Sequence, residues 1–256
     1  QSSGSDEMLR VTANTQLMRE IVDLLSVLAE EAKLVWGENG LHTTVVDGSH
    51  VALLSATIGD ACFETYEVEP VEIGIELSKM RDLLGLAGPG DLVEIDYDDA
   101  VGAINVRVGE VHRILRGLDV GTMNSAKEPG ISYEHGATMG ADKLSRALRA
   151  SKMVNELVKL SIEENKLTVS ADQEAGESVT VSFESGELSE LNAPSPTSST
   201  YSLQFLEPLA KKLATGLTED VSVEFKDKFP FKMSWNSNDG GASWTYFLAP
   251  RVTNDP

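Results

Sequence analysis

Residues 141–154 read ADKLSRALRASKMV, and their charge runs against that of the whole chain. The sequence contains 41 acidic and 21 basic residues, which gives a formal net charge of -20. At the periodicity of a helix, the apolar and small residues of this segment gather on one arc and the basic residues on the opposite arc. The first arc holds Leu144, Ala147, Leu148, Ser151 and Val154, and the second holds Lys143, Arg146, Arg149 and Lys152. The pattern predicts a helix that packs on a core and offers positive charge to a polyanion.

Basic residues recur on three further predicted helices, near residues 15–28, 77–87 and 203–213, whereas many acids lie in predicted strands, turns and loops. A single basic helix is ordinarily a solvated face, but four such helices favour a binding surface. Because salt screens charges beyond about 8–10 Å, an acidic exterior is compatible with DNA binding at one face. The acidity is equally compatible with a salt-rich cytoplasm. The basic residues on the four helices are Arg19, Lys79, Arg81, Lys143, Arg146, Arg149, Lys152, Lys211 and Lys212.

An internal repeat is visible in the letters of the sequence. Residues 33–41 read KLVWGENGL and residues 159–167 read KLSIEENKL, so both follow K-L-x-x-x-E-N-x-L at a separation of 126 residues. The same offset carries the helix at 15–28 onto 141–154 and the helix at 77–87 onto 203–213. Four elements in one order at one offset indicate a duplication. The chain is therefore predicted to contain two copies of one α+β unit, each with two helices and many antiparallel strands.

Composition and motifs argue against several other classes of function. With 41% hydrophobic and 24% charged residues the chain is typical of a soluble globular protein, and no apolar run reaches the ~18 residues that cross a bilayer. The single cysteine, Cys62, permits no internal disulfide and is interpreted as a structural thiol. The four histidines lack metal-ligand spacing. We predict no enzyme, metal or cofactor; the alternative is an enzyme that uses carboxylates such as Asp96, Asp98 and Asp99.

Four motifs resemble those of the sliding clamps of the proliferating-cell-nuclear-antigen (PCNA) type from archaea and eukaryotes. Residues 246–252 read YFLAPRV, similar to the family pattern Y-x-L-A-P-[KR]-[IV]. The other motifs are DGSHVAL at 47–53, FETY at 63–66 and YSLxxL at 201–206. The resemblance covers residues 8–252 and implies an α+β fold of two similar clamp domains. It also implies that antiparallel sheets lie outside, and that helices line the hole of a head-to-tail ring of three subunits.

The resemblance implies a function as well as a fold. The implied domains are 8–118 and 134–252, with a connector at 119–133, and residues 1–7 are interpreted as a disordered start. Such a ring would encircle double-stranded DNA and confer processivity on DNA polymerase, with the nine basic side chains touching phosphates rather than bases. The alternative is an acidic α+β protein-binding module that never encircles DNA. The implied location is the cytoplasm and nucleoid of an archaeon, or the nucleus of a eukaryote.

The resemblance further implies a hydrophobic pocket under the connector. In the family this pocket accepts a short peptide from DNA polymerase, clamp loader, flap endonuclease or DNA ligase, which buries an aromatic or aliphatic anchor there. The matching residues are Val46, Asp47, His50, Val51, Leu118, Met123, Pro230, Ala249 and Pro250. The connector of this chain departs from the family, since it lacks the usual aliphatic-plus-proline signature.

Head-to-tail contact in the family pairs an edge strand of the first domain with one of the second. The matching segments are 110–118 and 178–185, and the second reads SVTVSFES, the alternation of an edge strand that needs a partner. The implied interface residues are Val111, Arg113, Leu115, Val179, Val181 and Phe183. A contact of this kind closes a ring only if the rotation between subunits fits.

Overall fold

The computed structural model describes residues 7–123 and 126–252. Residues 1–6 of the predicted disordered start, and Asn124 and Ser125 of the predicted connector, lie outside the described residues. The prediction of a disordered start is wrong for Glu7. This residue begins the first strand, because its backbone pairs with Asp98 on a neighbouring strand.

The amino-terminal half of the described chain contains two α-helices and nine strands. The helices are α1 (Thr15–Leu25) and α2 (Leu77–Leu84). The strands are β1 (Glu7–Asn14), β2 (Glu31–Gly37), β3 (Gly40–Val46), β4 (Ala52–Gly59), β5 (Thr65–Val68), β6 (Val71–Glu76), β7 (Leu92–Asp98), β8 (Ala103–Val108) and β9 (Val111–Arg116).

The carboxyl-terminal half again contains two α-helices and nine strands among its described residues. The helices are α3 (Ala141–Lys152) and α4 (Leu203–Leu213). The strands are β10 (Gly136–Gly140), β11 (Leu157–Glu163), β12 (Lys166–Asp172), β13 (Ser178–Glu184), β14 (Glu190–Asn192), β15 (Thr197–Ser202), β16 (Asp220–Glu224), β17 (Phe231–Ser237) and β18 (Ala242–Leu248).

The element bounds repeat at the offset of 126 residues that the sequence predicts. Helices α1 and α3 begin 126 residues apart, as do α2 and α4. Strands β2 and β3 start and end at the same offset from β11 and β12, and β6 from β15. The pairing is antiparallel throughout the registers that join these strands. The predicted fold class, α+β with two similar halves, is therefore confirmed.

Helix α3 forms where the amphipathic pattern places it, with one end adjusted. Leu144, Ala147, Leu148 and Ser151 are buried, as the predicted apolar arc requires. The helix ends at Lys152, so Val154, the last predicted member of that arc, lies beyond it. The buried Ser151 donates its hydroxyl to the carbonyl of Ala147 at 2.9 Å, which satisfies a polar group inside the apolar face.

The start of α1 differs from the sequence-based expectation. The pattern predicts Thr15 as the N-cap, but the cap is Asn14, whose Oδ1 accepts a hydrogen bond of 2.7 Å from the backbone N–H of Leu17. The Thr15 hydroxyl donates instead to the carbonyl of Asp91 at 2.7 Å, which ties the start of α1 to the residue before β7. Helix α1 ends at Leu25 and α2 at Leu84, both three residues earlier than predicted.

The described residues pack into two compact units. The first unit takes in the described residues up to Gly48, the described residues of Leu54–Lys127, and Asn236–Trp244. The second takes in Ser49–Leu53, Glu128–Trp235 and the described residues from Thr245 onward. The boundaries predicted from the sequence, 8–118, 119–133 and 134–252, stay a prediction.

Strand order is similar in the two units. In the first unit, neighbouring strands run in the orders β5-β1-β7-β8-β9 and β4-β3-β2-β6. In the second they run in the orders β14-β10-β16-β17-β18 and β13-β12-β11-β15. Along β7 the side chains alternate between core and solvent, and Val93, Ile95 and Tyr97 are buried. Helix α1 packs on β1 and β7, and α3 packs on β10 to β13, so each helical pair has its apolar side covered.

Candidate functional site

The helices of the second unit carry a concentrated positive charge. Lys143, Arg146 and Arg149 follow one another at intervals of three residues along α3, and all three are exposed. Within the described part of the chain these three side chains form no ion pair, and neither do Lys211 and Lys212 in the last turn of α4.

One further cation of α3 is partly neutralised. Lys152 lies 3.6 Å from the carboxylate of Glu207, a buried residue of α4. Helix α3 has four basic residues and one acid, and α4 has two basic residues and one acid. Together the two helices carry a formal charge of +4, on a chain whose total is -20. This face can attract and hold a polyanion.

The helices of the first unit differ, because their cations are already engaged. The Arg19 guanidinium donates a 2.9 Å hydrogen bond to the carbonyl of Leu84, the last residue of α2. Lys79 pairs with Glu76 at 2.8 Å, and Arg81 lies 3.8 Å from the carboxylate of Asp23. Helix α1 has one basic residue and two acids, and α2 has two basic residues and one acid, so the pair sums to zero. The nine basic residues that the sequence groups together therefore fall into two electrostatic classes.

A groove of about 540 Å³ opens in the first unit between β2, β3 and the start of the predicted connector. We call it the connector groove; its lining includes Leu28, Glu31, Lys33, Val46 and Met123. Of the residues predicted to bind a partner peptide, Val46 and Met123 are therefore brought to one surface. The apolar members of the lining could accept an aliphatic or aromatic anchor.

The residue before the connector, Leu118, pairs with the edge of β6 opposite Gly74. The Leu118 N–H donates to the carbonyl of Gly74 at 2.9 Å, an isolated antiparallel bridge. A Cβ at position 74 would lie 2.9 Å from the sulfur of Met123 and 3.0 Å from the Cβ of Leu118. These distances are below ordinary van der Waals contact, so the missing side chain is what lets the connector lie this close to the strand.

The remaining predicted peptide-binding residues lie in different local environments. Asp47 is buried in the first unit. In the second unit, the Ala249 N–H donates to the carbonyl of Val51 at 2.8 Å, and the carbonyl of Pro230 accepts a 2.6 Å hydrogen bond from the hydroxyl of Tyr133. His50 adopts the left-handed backbone region with φ 58° in the tight turn after β3, and Pro250 is half-buried.

The two strands predicted to join subunits both lie at sheet edges. Strand β9 ends the order β5-β1-β7-β8-β9, and β13 ends the order β13-β12-β11-β15. Val111, Val179 and Val181 are exposed or half-buried, and Arg113 is half-buried. Leu115 and Phe183 are only 6% and 7% exposed, so their side chains pack into their own units.

The most exposed apolar side chain of β9 is one that the sequence-based prediction of the interface did not name. Ile114 is 64% exposed and lies on the strand face opposite Leu115. His112 and Arg116 share that face, and the His112 Nε2 lies 3.0 Å from the Oδ1 of Asn105. The alternating pattern of VHRILR could have indicated which side chains face solvent, but it does not decide this because apolar residues occur on both faces of the strand.

The acidic residues considered as a catalytic alternative have structural partners. Asp96 lies 2.8 Å from Arg107 and 3.6 Å from Arg10, so its carboxylate is held between two guanidinium groups. Burial, together with the charge of Glu20, raises the pKa of the Cys62 thiol, which disfavours the reactive thiolate. Among residues 7–123 and 126–252, no group of three or more His, Cys, Asp and Glu is placed to hold a metal ion. The described helices include none long and apolar enough to span a bilayer.

Comparison with known families matches both halves of the chain. Residues 8–115 match the profile of the "Proliferating cell nuclear antigen, N-terminal domain". Residues 127–251 match that of the "Proliferating cell nuclear antigen, C-terminal domain".

Curated relatives and solved structures cover nearly the whole chain. The "DNA polymerase sliding clamp" of Methanocella arvoryzae is 25% identical over 249 residues, which is 97% of this chain and 100% of that protein. The protein of the same name from Halobacterium salinarum is 26% identical over 254 residues, again 97% and 100%. The structure "C-terminal region of FEN-1 bound to A. fulgidus PCNA" superposes with a TM-score of 0.89 at 22% identity, covering 97% of this chain and 100% of the other. PCNA from Thermococcus kodakaraensis superposes with a TM-score of 0.85 at 20% identity, covering 95% and 100%.

Proposed function

The chain belongs to the proliferating cell nuclear antigen family, and we propose that it is a DNA sliding clamp, a ring that encircles duplex DNA and makes DNA polymerase processive. The observation that carries this proposal is the segregation of charge. Exposed cations that form no ion pair with any described residue lie along α3 and α4, apart from Lys152, on a chain whose net charge is -20. A ring whose basic helices face DNA would repel DNA everywhere else. Family membership and this segregation favour the clamp over an acidic binding module that does not encircle DNA.

The chemistry of the basic residues suits sliding. Lys and Arg on a helix surface contact phosphates, which are alike at every base pair, so the contacts carry no sequence information. Each contact is weak in physiological salt and exchanges readily. Because α1 and α2 together carry no net charge whereas α3 and α4 together carry +4, the helices of the second unit supply most of the attraction to DNA. The other predicted DNA contacts make a smaller contribution.

The proposed ring has three subunits that associate head to tail through β9 and β13. The two edges differ in charge, as partners in a heterologous contact should. Strand β9 carries Arg113 and Arg116 and is flanked by Glu110 and Asp119, so this edge is close to neutral, whereas β13 and its flanks carry only acids at Glu177, Glu184 and Glu187. Exposed Val111 and Ile114 supply apolar area on the β9 edge. Backbone groups at both edges are open to pairing with a further strand.

The absolute mass in solution, measured by light scattering, tests ring formation. Three chains of 27.6 kDa give about 83 kDa. We expect Ile114→Asp to shift the protein toward 27.6 kDa, because it places a carboxylate at the proposed contact. Leu86→Asp is the matched control, since Leu86 is also 64% exposed in the first unit but lies outside the interface. A trimer that survives Ile114→Asp, or dissociates equally with Leu86→Asp, would exclude this interface.

We propose that DNA polymerase, clamp loader, flap endonuclease and DNA ligase dock through a short hydrophobic peptide at the predicted partner site. The connector groove supports this with its apolar lining at Val46 and Met123. The flap endonuclease partner is also supported by the bound archaeal relative. Fluorescence anisotropy of a labelled peptide with an aromatic anchor tests the site. Met123→Asp should weaken binding by at least about tenfold, while Lys127→Asp, further along the connector, should not. If Met123→Asp and Lys127→Asp weaken binding equally, the peptide does not bind in the connector groove.

The proposed role is that of a scaffold, without catalysis of its own. The paired state of Asp96 supports this against the carboxylate alternative. The archaeal relatives support a location in the cytoplasm at the nucleoid; in a eukaryote the corresponding location would be the nucleus. Purified protein should release no product from duplex, single-stranded or flapped DNA. Activity that persists through purification and is lost with Asp96→Asn would overturn this part of the proposal.

A further inference from the structure

The second unit contains a groove at the place where the repeat puts the connector groove. It has a volume of about 860 Å³, and we call it the tail groove. Six of its lining positions correspond to lining positions of the connector groove at the offset of 126 residues, among them Lys159 for Lys33, Ser170 for Thr44 and Asp172 for Val46. The duplication has therefore produced two grooves on equivalent strands.

The two grooves are also covered in the same way. In the first unit Leu118, the residue before the connector, bridges to β6 through its N–H and the carbonyl of Gly74, at 2.9 Å. In the second unit the Arg251 N–H donates to the carbonyl of Thr200 on β15 at 2.8 Å. Gly74 and Thr200 are themselves 126 residues apart. The segment after β18 thus stands in the second unit where the connector stands in the first.

The chemistry of the tail groove differs from that of its counterpart. Lys159, Lys228 and Arg251 line it, all three are exposed, and the described residues offer none of them an ion pair. Asp172 and Asp227 are the acids of the lining, and most of the remainder is serine, threonine and asparagine. Three cations against two acids make this a locally positive, hydroxyl-rich surface on a chain of net charge -20. Such a surface favours an anionic ligand with hydrogen-bonding groups.

The shape of the tail groove favours an extended ligand. A second hollow of about 350 Å³ shares Lys159, Ser198 and Asp227 with it and runs on past Thr197. This hollow adds an acid, Glu163, so the positive charge belongs to the tail groove alone. Both hollows follow β15, which is an edge strand. The carbonyl of Thr200 points away from β11 toward Arg251, so the backbone groups of Ser198, two residues earlier, point the same way. An incoming strand could pair there by β-addition.

We propose that the tail groove binds an extended acidic segment of a partner protein, which pairs with the edge of β15 at Ser198, beyond the hydrogen bond from Arg251 to Thr200, and places its carboxylates on Lys159, Lys228 and Arg251. This inference rests on the internal repeat and on the charges of the second unit. It does not depend on the peptide site proposed at the connector groove. A partner could then hold one chain of a ring at two separate places.

The test uses the full chain and a labelled peptide of alternating Asp and Val as the probe, at low ionic strength. Fluorescence anisotropy should show binding that is at least about tenfold weaker for the isosteric peptide of Asn and Val. Lys159→Glu and Arg251→Glu should each weaken binding of the acidic peptide by about tenfold. Hydrogen exchange should slow at Ser198 when the acidic peptide is bound, because its amide is then paired.

The matched control is Lys33→Glu, which makes the same change at the equivalent position of the connector groove. It should leave affinity for the acidic peptide unchanged, and none of the three variants should alter the mass or the DNA affinity of the protein. The proposal is overturned if the neutral peptide binds equally well, or if Lys33→Glu has the same effect as Lys159→Glu. It is also overturned if an oligothymidylate displaces the acidic peptide and binds more tightly, since the groove would then be a nucleic-acid site.

Discussion

Replacing Arg146 and Arg149 by alanine removes two adjacent cations from the exposed face of α3. Both side chains are exposed and neither has an ion pair among the residues that the structure describes. Their removal therefore leaves no unpaired acid behind and creates no cavity in the core, since the buried face is formed by residues such as Leu144 and Leu148. We expect a selective loss of DNA contact from chains that fold and assemble normally.

The expected magnitude follows from counterion release. A side chain that neutralises one phosphate of duplex DNA contributes about 0.9 to the slope of log affinity against log salt. Losing two such contacts in the chain that touches the DNA should lower the slope by about 1.8. When the salt concentration rises from ~50 to ~200 mM, the unaltered protein should lose about twelvefold more affinity for DNA than the variant loses.

Anisotropy of a short labelled linear duplex over a salt series measures this slope. The matched control is Arg19→Ala with Arg81→Ala, which removes two cations from α1 and α2, the pair of helices that carries no net charge and in which Arg81 already faces Asp23. The control should change the slope by much less, and light scattering should give the same mass for all variants. An unchanged slope in the α3 variant, or a larger change in the control, would refute the assignment of DNA contact to the second unit.

Three further predictions concern the connector and two titratable groups of the first unit. Gly74→Ala should weaken binding of the anchor peptide without changing the mass, because a Cβ there would lie 2.9 Å from the sulfur of Met123 and push the connector away; unaltered affinity in anisotropy would contradict this. Burial raises the pKa of Tyr66 to about 12, so its contribution to stability is complete below pH ~10, the unfolded value, and is lost as the pH rises through about 12. The free energy of unfolding, measured by denaturant titration, should therefore fall less steeply with rising pH in Tyr66→Phe than in the unaltered chain over this pH range. Because the pKa of Cys62 is raised by burial, a thiol reagent at neutral pH should react with it far more slowly in the folded chain than in urea; equal rates would show an open thiol.

The repeat and the helices could be predicted because their signals are local and regular. The offset of 126 residues is visible because the same residue types recur in both halves of the sequence. The 3.6-residue period of α3 separates its buried residues from its basic ones. Helix ends were less well predicted. Asn14 and Thr15 are both capping residue types, and only the hydrogen bond from Leu17 decides between them.

Features that depend on contacts distant in sequence could not be predicted from the pattern. The pairing of Arg81 with Asp23 joins two helices far apart in the chain, so the sequence gives no sign that this cation is occupied. On β9, Ile114 and Leu115 are adjacent apolar residues, and period-two alternation cannot say which one faces the core. The tail groove was missed because it requires the segment after β18 to lie on β15.

The most direct test of the clamp is whether DNA topology holds the protein in place. Labelled protein is loaded onto nicked circular DNA by a clamp loader, the complex is isolated by gel filtration, and half of it is cut once with a restriction enzyme. We expect the protein to stay with the circle through high-salt washing and to be released after the cut, because a ring slides off free ends. Equal retention on circular and linear DNA would contradict encirclement, since binding would then depend on affinity alone.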